Sequence, residues 1–344
     1  MREGPWTVTS DRPSGKDIDA HVYYSAPGPS APHGAAAMPA PGKGPILYEG
    51  FDANRAALRS MSDAVFALGA AAFLLDDPRY ARRAALIVQT WFLNPKTAME
   101  PHLDRAVAGL DANALNPGGG IMDGRPLIHA FQGMAFLTET GEWDARDQAA
   151  VRKWGGDYLK WLTLLGPTVT GGRGAGPVAV WWAAEEAATA AFVEDAAAER
   201  AVFDFYRTRL LAREVRTRGP GARGGKGTPS IPPPLELDGL ATVCRIAELK
   251  GVDLWSARTA AGATLGGVAD GVAEILAGAQ PPKARLAGPP GNDPLDFLAF
   301  SGIGLGKPEY ASLYRKLERP GNAWSAMLDL LIGRWEASGH QTRH

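Results

Sequence analysis

The chain has 344 residues, 45% of them hydrophobic, so it can bury a substantial core in one large domain or in two ordinary ones. Lysine and arginine number 36 and aspartate and glutamate 37, and the formal net charge of -1 gives no overall attraction to nucleic acid or to an anionic membrane. Cys244 is the only cysteine, which excludes an internal disulfide and a multi-cysteine metal site.

Residues 1–50 are predicted to form an irregular amino-terminal segment. Pro27 to Pro45 contains too many prolines and glycines for a helix or a strand. The first residues lack the basic and apolar regions of a secretory signal peptide, and no run of about 18 apolar residues indicates a membrane-spanning helix. The sequence as written therefore predicts no visible targeting signal and no membrane span.

Most of the remaining chain has apolar residues every three or four positions, the period of an amphipathic helix. The first helix is predicted over Asn54–Leu75, and Asp77 with Pro78 predicts the N-cap and first turn of the next, which ends near Phe92. The same period predicts further helices over Arg125–Thr138, Asp147–Leu165, Val180–Ala196, Glu199–Ala212, Asp238–Gly251, Ser256–Ala277 and Ala323–Ala337. No alternating strand pattern competes, and a bundle, a solenoid and a ring of helical hairpins all fit.

Two long breaks interrupt the helical pattern, at Asn94–Gly124 and at Val215–Pro234. Breaks of this length in a compact chain are usually functional or disordered. The second break is basic, and its charged residues are Arg216, Arg218, Arg223 and Lys226. They could meet a polyanion, although most charged loops are simply solvated.

Familiar catalytic motifs are absent, because the sequence holds no phosphate-binding Gly-x-x-x-x-Gly-Lys-Ser/Thr, no His-Glu-x-x-His and no Gly-x-Ser-x-Gly. The six histidines follow no metal-ligand spacing, and they are His21, His33, His102, His129, His340 and His344. The sequence therefore predicts no metal site.

His102 stands in a polar loop directly after a strongly periodic helix. A histidine there could serve as a base or as a hydrogen-bond donor to substrate. The plainer alternative, a loop histidine bonded to backbone or water, is the commoner one. Asp123 and Arg125 lie at the expected start of the next helix, where the aspartate is interpreted mainly as a structural cap.

Adjacent residues Trp181 and Trp182 open a predicted helix, and their side chains should project about 100° apart. One could face a cleft, where an aromatic ring suits a sugar, while the other packs in the core. Core packing of both is the usual fate of tryptophan. Glu185 and Glu186, one turn later, are expected to be solvated.

Several motifs occur in a characteristic order, and they are Pro13-Ser14-Gly15 with His21 to Ser25, Met61 to Val65, Tyr80 to Ala85, Trp91 to Pro95, Met99 to Leu103, Gly120 to Arg125, Pro234 to Leu237 and Gly251 to Trp255. In order and spacing they resemble the alginate-lyase-like polysaccharide lyases, from about Gly4 to Trp255. The resemblance implies an all-α fold, an incomplete (α/α) toroid of antiparallel helical hairpins, as a single domain over residues 51–344. It also implies an acidic polysaccharide substrate, β-elimination without a cofactor, no nucleic-acid partner, and a periplasmic or secreted location.

β-Elimination requires that the uronate carboxylate be neutralised, that the neighbouring proton be removed and that the leaving oxygen be protonated. In the family an Asn-Asn-His-x-x-Trp-Tyr element supplies two of these groups. Aligned on Trp181 and Trp182, this chain has Gly176, Pro177 and Val178 in place of the Asn, Asn and His, and none of their side chains can donate a hydrogen bond. The family's Arg and Tyr after Pro-Leu-Glu-Leu are missing too.

The resemblance leaves His102, Tyr23 and Tyr24 as candidate catalytic residues. The candidate substrate-binding residues are His21, Arg105, Asp123, Arg125, Trp181, Trp182 and Arg245. We expect His102, one of the two tryptophans and one of the two tyrosines to line a single cleft. Three interpretations stay open: a lyase of impaired activity on uronic-acid polysaccharides, a non-catalytic homologue that binds such polymers, and a sequence from which internal segments have been lost.

Overall fold

A computed structural model describes residues 49–95, 97–103, 117–171, 176–215, 230–278, 285–286, 295–317 and 321–339. These residues fall into two compact units, each treated separately below. The first contains residues up to 169 together with 192–194, and the second contains 170–191 together with the chain from 195 onward. The prediction of one domain over 51–344 and of an irregular segment over 1–50 stays a prediction.

The first unit begins with helices α1, Glu49–Leu75, and α2, Pro78–Val88, which continues into a π-helical turn, π1, at Gln89–Leu93. Helices α3, Pro117–Gly124, α4, Leu127–Glu139, and α5, Ala145–Gly171, follow. Asp77 caps α2 as predicted: its carboxylate accepts a hydrogen bond from the backbone N–H of Arg79 at 2.9 Å, and Pro78 occupies the first turn. The two-residue connection makes α1 and α2 a helical hairpin.

Helices α1 and α4 approach so closely that glycine is required where they meet. A Cβ atom on Gly69 would lie 2.2 Å from the carbonyl oxygen of Gly133, and one on Gly133 would lie 2.5 Å from the Cα of Phe66. The ring of Phe66 contacts that of His129, and Phe73 contacts Phe136. Since the contact partners advance together along both helices, α1 and α4 run parallel.

Residues 57–75 of α1 are long and apolar enough to cross a membrane, with a mean hydropathy of 1.4. This run corrects the expectation that the sequence contains none. Buried side chains on α1 include Leu58, Met61, Val65 and Phe66, and α1 packs against α4 and α2. A core helix passes the same test of length and composition, so the run is weak evidence for a membrane span.

The second unit contains most of α6, Gly176–Val193, followed by α7, Ala196–Phe205, a second π-helical turn, π2, at Tyr206–Leu210, and α8, Leu211–Glu214. Five further helices are α9, Pro234–Leu249, α10, Leu265–Leu276, α11, Asp296–Gly304, α12, Pro308–Lys316, and α13, Ala323–Ala337. Ser230–Ile231 (β1) pairs in parallel with Arg285–Leu286 (β2), and these two-residue strands are the sheet of the described chain.

The all-α class predicted from the sequence is confirmed, while two local predictions are wrong and two helices were missed. The break predicted at Asn94–Gly124 contains helix α3. The helix predicted over Ser256–Ala277 begins only at Leu265, where Thr264 caps it by accepting from the N–H of Gly267 at 3.0 Å. Helices α11 and α12 were not predicted.

Candidate functional site

The loop that carries His102 begins where π1 ends. Asn94 donates its backbone N–H to the carbonyl of Gln89 at 2.8 Å, which closes the wide turn. The last carbonyls of a helix lack partners within it, and here the loop supplies them. The hydroxyl of Thr97 donates to the carbonyl oxygen of Thr90 at 2.6 Å, and the backbone N–H of Met99 donates to the carbonyl oxygen of Trp91 at 2.8 Å. The loop is therefore folded back onto π1.

Glu100 and His102 form a hydrogen-bonded pair across Pro101. The backbone N–H of His102 donates to the carbonyl of Glu100 at 2.8 Å, a three-residue turn that suits the fixed φ of proline. This turn brings the two side chains together, with His102 Nε2 2.8 Å from Glu100 Oε2. An ionised carboxylate only accepts hydrogen bonds, so Nε2 carries a proton. The His102 side chain is 25% exposed and that of Glu100 35%, so solvent reaches both.

Both ends of the Glu100–His102 turn are anchored in the core of the first unit. Before it, the carbonyl of Met99 accepts a buried hydrogen bond of 2.8 Å from Trp154 Nε1. After it, Leu103 is fully buried beside Gly120, where a Cβ atom would lie 2.3 Å from the Leu103 carbonyl oxygen. Glycine at this position thus allows α3 to lie against the loop.

Asp123 and Arg125 lie immediately after this contact, in the connection between α3 and α4. Asp123 belongs to the last turn of α3, whereas the N-cap of α4 is Pro126, which makes no side-chain capping bond. The interpretation of Asp123 as the cap of the following helix is therefore wrong. Arg125 Nε donates to the carbonyl of Met122 at 2.8 Å and its side chain is half-buried.

Trp181 and Trp182 are both buried in the second unit, with exposures of 8% and 7%. The ring of Trp182 meets that of Phe205 edge to face, with centroids 5.3 Å apart. Gly239 of α9 faces Trp181, and a Cβ atom there would lie 3.4 Å from the indole ring. Both side chains are therefore buried, as core packing predicts, and the expectation that one of them lines a cleft stays a prediction.

Glu185 and Glu186 on α6 are buried, with exposures of only 1% and 4%, so the expectation that they are solvated is also wrong. The reason lies in their neighbours, because most other residues of α6 are apolar and residues 179–190 of this helix are all buried. The continuous Ala, Val and Trp composition of this segment was the available signal. Buried carboxylates on a helix of this kind need polar partners.

Arg245 on α9 is engaged within its own helix. Its guanidinium donates to Glu248 Oε2 at 2.9 Å, and the same carboxylate oxygen accepts from the indole Nε1 of Trp255 at 3.2 Å. The side chain of Arg245 is 20% exposed. These contacts join α9 to the turn after it, which is a structural role that sequence reasoning did not assign.

A lysine, an aspartate and a tyrosine form a second polar cluster in the second unit that was not predicted. Lys307 Nζ pairs with Asp270, and the Tyr310 hydroxyl donates to Asp270 Oδ1 at 2.5 Å. Lys307 also lies 4.9 Å from the centre of the Tyr310 ring. Burial, followed by the hydrogen bond to Asp270, raises the pKa of Tyr310. Nothing in sequence spacing brings Asp270 to the other two, which are 37 and 40 residues away.

The remaining candidates cannot be placed. His21, Tyr23, Tyr24 and Arg105 lie outside the described residues, as do the basic residues between 216 and 226. His102 belongs to the first unit, and Trp181, Trp182 and Arg245 belong to the second. Convergence of these residues on a single cleft stays a prediction. Within the described part of the chain, no three His, Cys, Asp or Glu side chains group as metal ligands would.

Comparison with known proteins adds three findings. A family model described as alginate lyase matches residues 7–223. The fold is similar to the crystal structure of an alginate lyase from Bacteroides ovatus, with a TM-score of 0.71 and 18% sequence identity, over 94% of this chain and 87% of that one. A search of curated proteins gives no match. At this identity the structural similarity bears on the fold alone, and it agrees with the (α/α) toroid class predicted from the sequence.

Proposed function

Since the chain belongs to the alginate lyase family, we propose that it cleaves a uronic-acid polysaccharide by β-elimination, with His102 as a catalytic residue. The observation that carries the proposal is the Glu100–His102 pair, in which Nε2 of His102 lies 2.8 Å from a carboxylate oxygen of Glu100 in a solvent-accessible turn. Glu100 and His102 stand among the family-like motifs of this chain, whereas Gly176, Pro177 and Val178 replace the usual Asn-Asn-His.

The reaction transfers two protons, one to a base and one from an acid, and it exchanges no electrons with a cofactor. A base removes the proton on the carbon next to the uronate carboxyl, the electron pair of that bond becomes a carbon–carbon double bond, and the glycosidic carbon–oxygen bond breaks. The leaving oxygen then takes a proton from an acid. We assign the acid role to His102 in its doubly protonated form, which becomes a neutral imidazole when it gives up a proton, and the base role to one of Tyr23 and Tyr24.

Neutralisation of the uronate carboxylate is the third requirement, because it makes the neighbouring proton removable. We assign this role to Arg105 and Arg125, with His21 and Asp123 as further substrate contacts. Burial of Trp181 and Trp182 and the pairing of Arg245 with Glu248 favour structural roles for these three residues. We therefore leave them out of the proposed site.

The substrate is a polymer too large to diffuse through a lipid bilayer, which supports action outside the cytoplasm. We accordingly propose a periplasmic or secreted location, in line with the family. Fractionation of the producing cells, with detection by an antibody against the whole chain, would test it. Recovery only with a cytoplasmic marker enzyme would contradict this proposal without affecting the assignment of the reaction.

The test of activity is the ultraviolet absorbance of the unsaturated product during incubation with polymannuronate, polyguluronate and polyglucuronate. We expect the unmodified protein to raise the absorbance and His102→Gln to lower kcat by about 100-fold to 10,000-fold, the range of a general acid. The matched control is His129→Gln, since His129 also faces a carboxylate in the first unit, with Nδ1 3.7 Å from Asp63 Oδ1. That variant should keep its rate.

Two results would count against the proposal in different ways. Absence of product with measurable polyuronate binding would favour the non-catalytic binding homologue. Equal rates for His102→Gln and the unmodified protein would keep the lyase activity and remove His102 from it.

A further inference from the structure

We infer that Trp154 is a positioning residue for His102, acting with Thr97 through the backbone of the loop between them. The inference rests on the proposed function for its kinetic consequence, although the positioning itself can be measured without any turnover. Trp154 lies on α5, and its indole N–H donates to Met99, the residue just before Glu100, and not to Glu100 or His102. Its effect must therefore pass through the main chain.

The Trp154 ring is itself held in place. It stacks on Tyr158, with centroids 5.4 Å apart and planes 11° from parallel, and meets Phe92 edge to face at 4.7 Å. Phe92 belongs to π1, so the indole is fixed both by its own helix and by the turn from which the loop departs. An indole held on two sides fixes the direction of its N–H.

The indole N–H of Trp154 in turn fixes the peptide plane next to Glu100. The Trp154 Nε1 to Met99 carbonyl bond is buried and 2.8 Å long. The carbonyl of Met99 shares its peptide unit with the amide nitrogen of Glu100, and a peptide unit is planar. A rotation that moved Glu100 would thus break a buried hydrogen bond, and a buried carbonyl left without its donor is costly.

Thr97 holds the same loop closer to its start. The hydroxyl of Thr97 donates to the carbonyl oxygen of Thr90 at 2.6 Å, and its backbone N–H donates to the carbonyl oxygen of Asn94 at 2.9 Å. Thr97 and Trp154 together leave the chain little freedom before the turn at Pro101. The turn then sets the position of His102 relative to Glu100, because its closing hydrogen bond is only 2.8 Å.

We therefore expect the neutral His102 ring to carry its proton on Nε2 and to keep one orientation. A carboxylate bonded to Nε2 selects the Nε2-protonated form of the neutral ring. If the loop is released, the distance between Glu100 and His102 is no longer fixed, and the second form with the proton on Nδ1 becomes populated. For a catalytic group, a displacement of about 1 Å from a distant change can lower the rate by about 100-fold.

The experiment uses the full chain labelled with ¹⁵N-histidine. The ring resonances of His102 are assigned by their loss in His102→Gln, and their ¹⁵N shifts report which nitrogen carries the proton when the ring is neutral. We compare the unmodified protein with Trp154→Phe and Thr97→Val. The control is Trp143→Phe, which removes another buried indole of the first unit whose Nε1 makes no hydrogen bond.

We expect the unmodified protein and Trp143→Phe to show the Nε2-protonated form. In Trp154→Phe and Thr97→Val the ratio of the Nε2-protonated to the Nδ1-protonated form should fall several-fold. The kcat on polyuronate should fall by about 10-fold to 100-fold with little change in KM. Thr97→Val keeps the aromatic stack intact, so it still tests whether the loop positions His102 if Trp154→Phe does not fold.

A folded Trp154→Phe or Thr97→Val whose His102 shifts equal those of the unmodified protein would overturn the inference. If the unmodified protein forms no product, the shifts alone decide the positioning role and the proposed function fails separately. If kcat falls equally in Trp143→Phe, the kinetic effect belongs to general core damage and positioning is rejected as its cause.

Discussion

The crossing of α1 and α4 provides a sharp test of the packing, because backbone meets backbone there. In Gly133→Ala the added Cβ would lie 2.5 Å from both the Cα of Phe66 and the carbonyl oxygen of Val65. Neither is the flexible end of a side chain, so the helices must separate. Overpacking of this kind costs about 3 kcal/mol at the upper end of its usual range. The gain from replacing glycine by alanine within a helix is about 1 kcal/mol, which leaves a net loss of about 2 kcal/mol.

The matched control is Gly156→Ala, on α5, where a Cβ atom would meet nothing within 4 Å. That variant should gain about 0.5 to 1 kcal/mol, since it keeps the helix benefit without the clash. Urea denaturation followed by circular dichroism measures the difference between the two variants, expected to be about 3 kcal/mol, and Gly133→Ala should melt about 4 to 8 °C below the unmodified protein. Equal stability of the two variants would refute the close approach of α1 to α4.

Three further predictions concern titratable groups. Burial raises the pKa of the Cys244 thiol, so a thiol reagent should label it only after the protein is unfolded, and rapid labelling of the native chain would contradict its burial. The side-chain hydrogen bond from Arg79 lowers the pKa of Asp77 from 3.8 to about 2, so its contribution to stability is complete above about pH 4 and is lost as the pH falls towards 2. Melting temperatures of the unmodified protein and Asp77→Asn should therefore differ slightly at neutral pH and converge in acid. Tyr310→Phe should lower the free energy of unfolding by about 1 kcal/mol through loss of the bond to Asp270, and an unchanged denaturation midpoint would argue against that bond.

Local signals were enough to predict much of the helical framework. Asp77 followed by Pro78 fixes a helix start through chemistry confined to neighbouring residues, and the Asp77 cap lies where it was predicted. Helix α13 has the predicted bounds, Ala323–Ala337, because its start coincides with a cap, in which Asn322 Oδ1 accepts from the N–H of Ser325 at 2.9 Å. Such signals depend on a few consecutive residues.

Other features depend on contacts between distant residues, and these could not be read from the sequence. Three successive glycines before Ile121 predict a break, yet they form part of α3, where Gly120 lies against the Leu103 carbonyl. Glu185 looks solvated by residue type but is carried into the core by an apolar helix. In the candidate site, His102 was predicted from its loop position and from the family resemblance, while its partner Glu100 was missed although it stands only two residues away. The Pro101 between them was the available signal, since a proline-centred turn brings its flanking side chains together.

The π-helical turn at Gln89–Leu93 also affects how this chain is aligned with its relatives. A π turn contains one residue more than the corresponding α-helical turn. A relative whose matching helix is regular therefore needs a gap of one position within this segment. Without the gap, every residue after it is paired one place out of register, including Glu100 and His102, and a comparison of site residues would match them with the wrong neighbours. Deleting one residue from this turn should restore a regular helix and leave the start of the loop in nearly the same place, because the π turn accommodates its extra residue locally.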